Sequence, residues 1–293
     1  MKAGSSDFNN LFSPSAKISA LPGKLDFESP SSPFAFLVRN IPPGATVLDA
    51  RCHYGQAGEY LAAKKNCAVY GIETDEEAVK SVRAKGVFKD VFRFSIANPE
   101  AAPGEYERFR RTDFFDALIC PDVFEHVKDI NGAFFFLISK LKTSGKMLLP
   151  VPNIANLDII ANLLCDRFSY TDIGILNRDH ARFFTKRSFI EWLNSVNSSR
   201  NDFQIDVETW ETTNYESPAV KLLKEKFPAL YDNLIGLYAD RQNALTLLNL
   251  FALVKKPGDK KIALLQKFRL EPLEELLDRI NKQAGKNSKG AGR

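Results

Sequence analysis

Cysteine, histidine, methionine and tryptophan are all scarce in these 293 residues, at four, three, two and two copies. Cys52, Cys67, Cys120 and Cys165 form no Cys-x-x-Cys pair and keep no regular spacing. That excludes a disulfide framework and a cysteine-based zinc site, and it fits reduced thiols in a cytoplasmic protein. Cys67 and Cys120 sit in apolar runs, where a thiol packs as a small hydrophobe. No two of the three histidines stand four residues apart, so no helical histidine pair exists and no metal site is expected. No apolar run reaches the roughly 18 residues of a membrane span, and the polar N-terminus has no leader-like apolar stretch. The expectation is a chain that is neither exported nor integral to a membrane.

The net charge is +4 and unevenly placed. From Lys255 to Arg293, eleven Lys/Arg face five Asp/Glu. The rest of the chain is close to neutral. We read the basic end as a solvated helix and a disordered tail; its charge would also suit an anionic membrane surface or a protein partner.

What the sequence does contain is an alternation. Residues 1–32 are rich in Ser, Pro, Gly and Asn and read as an extended or partly ordered lead-in. A short helix over Ser32–Arg39 ends at the breaker Ile41-Pro-Pro-Gly44. Strands are expected at Thr46–Ala50, Ala68–Ile72, Val91–Ile96, Phe115–Cys120 and Lys146–Val151, with a turn at Lys142–Gly145. Helices are expected at Gln56–Lys65, from Asp75 to the cap at Gly86, and at Ile130–Leu141. This spacing predicts an α/β fold, a Rossmann-like doubly wound and mostly parallel sheet with helices on both faces. Later come helices at Asn156–Cys165 and Thr185–Val196 and a helical stretch at Ser217–Asp240. Period-two strands at Phe203–Thr209 and Thr246–Val254 are placed to pair antiparallel. A last helix over Ile262–Gln283 is interrupted at Pro272. The resulting division is a main domain over 33–256, with an acceptor-side insertion at 154–184 and a helical insertion at 215–242, then a basic segment at 257–293.

Parallel crossovers bring the carboxyl ends of the strands, with Asp49, Glu73 and Asp122, to one edge, where open α/β sheets bind ligands. The loop after the first strand, Asp49-Ala-Arg-Cys-His-Tyr-Gly55, is where such folds lay backbone against a cofactor and where glycine is usually required. Only Gly55 remains.

Several segments occur in order: Val47–Gly55, Tyr70-Gly-Ile-Glu73, Phe115–His126, Leu141–Leu149 and Val151-Pro-Asn153. Together they resemble the class I S-adenosylmethionine-dependent methyltransferases. The segment Phe168–Thr185 resembles a bacterial branch associated with cell-surface polysaccharide enzymes and related to ubiquinone-type O-methyltransferases. The resemblance implies S-adenosylmethionine as cofactor. It places Asp49 and Gly55 by the methionine moiety, Glu73 on the ribose hydroxyls, Asn98 near adenine, and Asp122 near the methyl group. Arg51 and His53 stand at positions that hold glycine in the family. They either obstruct the cofactor or, in the case of Arg51, bind its carboxylate. Asp166, Asn177 and Asp179 likewise replace the family's usual glycine, aspartate and threonine.

Two functions from different classes follow. One is methyl transfer to a hydroxyl of a sugar or small molecule, with His180 and His126 as candidate general bases. The other is a methyltransferase-fold protein without catalysis, kept as a binding or assembly partner. Nucleic acid is not an expected substrate, because Pro121-Asp122-Val123 stands where a nucleic-acid methylase would carry Asn/Asp-Pro-Pro-aromatic. Phe168, Tyr170, Phe183 and Phe184 are suited to a lid or acceptor wall, with Phe183 and Phe184 more suited to core packing.

Overall fold

The breaker at Pro42-Pro43 delivers the chain into an apolar run that can only be satisfied inside a sheet. In the computed structural model this run is β1 (Thr46–Asp49). The structure describes residues 25–110, 112–238, 241–259 and 261–268, together with Asp278 and Lys282. The expected lead-in before residue 25 and most of the basic segment after 268 lie outside the described residues.

Before the breaker, Ser32 caps α1 (Pro33–Arg39) by accepting from the Phe34 N–H, with Pro33 at the first position, where no N–H is needed. After β1 the alternation runs α2 (Gln56–Lys65), β2 (Ala68–Glu73), α3 (Glu76–Lys85), β3 (Asp90–Arg93), α4 (Pro103–Arg108), β4 (Phe115–Ile119), α5 (Ile130–Lys140) and β5 (Leu141–Pro152). Asp75 caps α3 through the Ala78 N–H, and Gly86 closes it at φ 66°. Beyond β5 come α6 (Leu157–Leu164), α7 (Lys186–Ser199), β6 (Phe203–Asn214), α8 (Pro218–Lys226), α9 (Pro228–Leu237), β7 (Thr246–Pro257) and α10 (Leu264–Lys267). Thr185 caps α7 in a reciprocal box with Ser188.

The seven strands form one sheet in the order β3-β2-β1-β4-β5-β7-β6. Only β7 runs against its neighbours. Alternate residues of each central strand feed two cores. Leu48, Leu118, Met147 and Leu253 meet Phe134 and Leu137 of α5 and Phe189 and Leu193 of α7. Val47, Ala117, Leu148 and Ala252 meet Phe36 and Leu37 of α1 and Leu61 of α2. Burial on both faces explains why these strands read as continuous apolar runs. The Rossmann-like sheet with an antiparallel end is therefore as expected.

Three local expectations differ. The turn at Lys142–Gly145 is an irregularity inside β5, where the β4 register jumps from Phe115↔Leu141 to Ala117↔Lys146 and Ser144 takes φ 67°. The helical stretch from Ser217 is two helices, because Pro228 removes an N–H and disfavours the helical conformation of Phe227, which sits at φ −135°, ψ 56°. The antiparallel pair is longer than expected, from Phe203↔Pro257 to Asn214↔Thr246.

Candidate functional site

Two cavities open at the carboxyl edge of the sheet, and one wall divides them. The larger, about 370 Å³, is lined by Asp49, Arg51, Glu125, Asn177 and His180, with Phe34 and Leu37 of α1, Pro150, Pro152 and Ile173–Ile175. The smaller, about 180 Å³, is lined by Glu73, Thr74, Ser95, Ala97, His126 and Val127. Arg51 and Asp122 line both. They form the wall: Arg51 Nη1 donates to Asp122 Oδ2 at 2.5 Å and to the Asp122 carbonyl at 2.6 Å. Asp122 adopts φ 57° immediately after Pro121, which turns its carboxylate back toward β1.

Glu73 ends β2 and is buried. Its Oε1 accepts from Thr74 N (2.6 Å), Thr74 Oγ1 (3.2 Å) and Asp75 N (3.1 Å), and its Oε2 from His53 N (2.8 Å). Burial pushes this carboxyl up, but the backbone donors of Asp75, Thr74 and His53 outweigh burial and hold it below its ordinary value. Oε2 keeps an open lone pair. Asp49 ends β1 and is also buried, yet its Oδ1 has no hydrogen-bond partner. Burial drives its pKa up to about 7, against the Arg51 N–H and with the repulsion of Glu73.

The histidines divide by their hydrogen bonds. His126 Nδ1 lies 3.1 Å from the Asp179 carbonyl and Nε2 lies 3.1 Å from Asp122 Oδ1. Both partners accept, so this arrangement favours the doubly protonated ring. The Asp122 hydrogen bond accordingly raises its pKa, in spite of burial. In turn, Asp122 is held below its usual range: burial opposes ionisation, but the His126 hydrogen bond and the Arg51 charge win. His180 is buried and donates Nδ1–H to the Ile175 carbonyl at 2.9 Å. Burial lowers its pKa, so it is a neutral ring whose Nε2 lone pair is open.

The remaining candidate residues occupy varied places, and His53 lines the larger cavity. Gly55 lines neither cavity. It caps α2 at φ 84°, and a Cβ there would stand 3.1 Å from Phe88 Cε2, so this glycine serves helix packing. His53 takes φ 46°, the left-handed region glycine would fill, and its ring is exposed. The Arg51 backbone has no positive φ, so only one of the two replaced glycines carries backbone strain. Asn98 is exposed and lines neither cavity; Ser95 and Ala97 do instead. Phe168 and Tyr170 are exposed and pack on each other, Phe168 also on Phe183, and none of the three lines either cavity, while Phe184 packs edge-on against Phe189. The wall of the post-β5 segment is Ile173-Gly174-Ile175, which no aromatic or charge pattern marked in the sequence.

The chain is similar in sequence and fold to known proteins. The profile of a family described as "Methyltransferase domain" matches residues 25–198. No curated protein sequence matches the chain. Among solved structures, the MccD protein is similar with a TM-score of 0.50 at 15% identity, over 76% of this chain and 96% of its own. A SAM-dependent methyltransferase from Archaeoglobus fulgidus has a TM-score of 0.45 at 15% identity, over 76% and 90%. The plantazolicin methyltransferase BpumL, solved in complex with SAH, has a TM-score of 0.44 at 14% identity, over 76% and 79%. At these identities the likeness concerns the fold alone.

Proposed function

The chain belongs to the methyltransferase domain family, and from that premise we propose that it transfers a methyl group from S-adenosylmethionine to a hydroxyl of a sugar or other small molecule. The observation that carries this reading is the pair of cavities meeting at the Arg51–Asp122 wall, with a ribose-type acceptor in one and a neutral imidazole in the other.

The residues present fit the cofactor. Glu73 Oε2, with its free lone pair, accepts from a ribose hydroxyl, and Ser95 and Ala97 wall the base. Asp49 Oδ1, buried without a donor, is matched to the ammonium of an amino acid. The Arg51 guanidinium stands ready for the carboxylate of the same amino acid, within a charge-assisted pair that ligand binding would re-partner. When bound, S-adenosylmethionine supplies an already electrophilic methyl group. The chain's own task is then to orient the acceptor and exclude water. Phe34, Leu37, Ile173 and Ile175 give the larger cavity apolar walls, and His180 Nε2 accepts the hydrogen of a hydroxyl placed there.

The Phe168–Thr185 resemblance supports a bacterial saccharide acceptor, and four free cysteines support a reducing, cytoplasmic setting. Among the described residues no helix is long and apolar enough to cross a membrane. Isothermal titration with S-adenosylhomocysteine tests the reading: saturable binding is expected, and none at millimolar ligand would leave the non-catalytic binding role in its place.

A further inference from the structure

Two imidazoles and a carboxylate of the dividing wall converge. Asp122, His126 and His180 each present one ligand-type atom, and these atoms lie within 4.8 Å of one another. We propose that this cluster binds a divalent transition-metal cation through Asp122 Oδ1 and the Nε2 atoms of His126 and His180.

The ring orientations carry the argument. Each Nδ1 is turned outward onto a backbone carbonyl, Asp179 for His126 and Ile175 for His180. A carbonyl only accepts, so both Nδ1 atoms keep their protons and Nε2 is the atom each ring has left to offer a cation; that of His126 already faces Asp122 Oδ1. That is the outer-shell arrangement of metal-ligating histidines, which fixes tautomer and ring plane before the ion arrives. His180 is 8% exposed, and among the described residues its Nε2 makes no hydrogen bond. Asp122 divides its oxygens: Oδ2 is held by Arg51, leaving Oδ1 on the histidine side. Its left-handed backbone is of the kind found stored at functional sites.

The spacing is close to what a cation needs. Ligands held at about 2.1 Å around a tetrahedral ion lie about 3.4 Å from one another, so a pair at the 4.8 Å limit closes with about 0.7 Å of movement per side chain. The His126 Nε2 proton now bridging to Asp122 is what the ion would displace. Arg51 opposes a second positive charge, while Asp122 and the buried Glu125 carboxyl in the same cavity favour it. Two nitrogens and one oxygen without sulfur suit Mn²⁺, Fe²⁺, Co²⁺ or Zn²⁺ better than Ca²⁺ or Mg²⁺. Three protein ligands leave open positions on the cavity side. Resting on the methyl-transfer reading, an acceptor hydroxyl bound there would lose its proton to water more readily than when free. Its oxygen would form the O–CH₃ bond as the S–CH₃ bond breaks, leaving the neutral thioether. Without the ion, His180 alone takes that proton.

Co²⁺ titrated into the full chain, followed by visible absorption and calorimetry, tests the site. One saturable equivalent is expected. His126→Gln and His180→Gln should each weaken it roughly ten-fold or more, while His53→Gln, outside the cluster, keeps it. Pulsed electron paramagnetic resonance of the unmutated chain with Mn²⁺ should show histidine nitrogen couplings, a readout independent of how the variants fold. No saturable binding, no nitrogen coupling, or binding unchanged in both cluster variants would overturn the proposal. S-adenosylhomocysteine titrated into the same preparations separates the two readings: its failure beside intact metal binding sinks methyl transfer alone, and the reverse sinks only the metal site.

Discussion

Asp49 and Glu73 end neighbouring parallel strands, are both buried, and face opposite fates. Glu73 is met by three backbone N–H groups and a hydroxyl and stays ionised. Asp49 keeps one oxygen unmet and binds its proton up to about pH 7. Asp49 lies deeper, so burial weighs more on it, and the loops widen the difference. The turn after β2 folds its own amides onto Glu73, and the loop after β1 donates to Glu73 through His53 while giving Asp49 only the Arg51 N–H. One carboxylate is a finished anchor; the other waits for a donor.

Removing the finished anchor should have the largest effect. Glu73→Ala strands three N–H groups, so it should cost roughly 3 kcal/mol or more of stability and abolish S-adenosylhomocysteine binding. Unchanged affinity in calorimetry would take Glu73 out of the cofactor site. The waiting carboxylate predicts a pH effect. Because the folded pKa of Asp49 lies above its ordinary 3.8, at about 7, its protonated form favours the fold. That stability is full below pH 3.8 and is lost as pH rises through 7, a change of roughly 4 kcal/mol at one unit per 1.36 kcal/mol. Glu125, also raised to about 7 by burial and by Asp122, acts in the same direction. Glu73, held low, acts in the opposite one. Denaturant unfolding of Asp49→Asn between pH 4 and 8 should therefore show a flatter profile than the parent; an equal slope would mean that Asp49 is ionised throughout. The smallest effect is expected at His53, where the loop sits at φ 46°. His53→Gly should relieve up to about 1 kcal/mol of strain, read as a small rise in melting temperature.

The sheet was legible because its signals are local. Apolar runs, the Pro-Pro-Gly breaker, Asp75, Gly86 and Thr185 each act within a few residues of the element they start or stop. The same holds for Asp49 and Glu73 at strand ends. What escaped was tertiary. Pro228 divides one long helical pattern into two helices, a break hidden because apolar periodicity continues across it. Asp122 and His126 stand four residues apart, a spacing that marks a pair only once the backbone around them is known to be folded so that both face one point. His180 reaches them from beyond β5, and its tautomer depends on the Ile175 carbonyl, which no pattern of side chains encodes. Gly55 was legible as a required glycine, but its close approach to Phe88 was not, since Phe88 is distant in sequence.

The sheet order also has a consequence for synthesis. Strand β6 lies at the edge, and its sole neighbour is β7, which follows it by thirty-odd residues and inserts between it and β5. As the chain leaves the ribosome, Ile205 and Val207 of β6 therefore emerge with no strand to pair with. Until residues 246–257 follow, β5 also presents an open edge. The parallel half does not depend on β7, but the sheet closes only once residues 246–257 have been made, which marks this interval as the one in which a nascent-chain chaperone has most to protect.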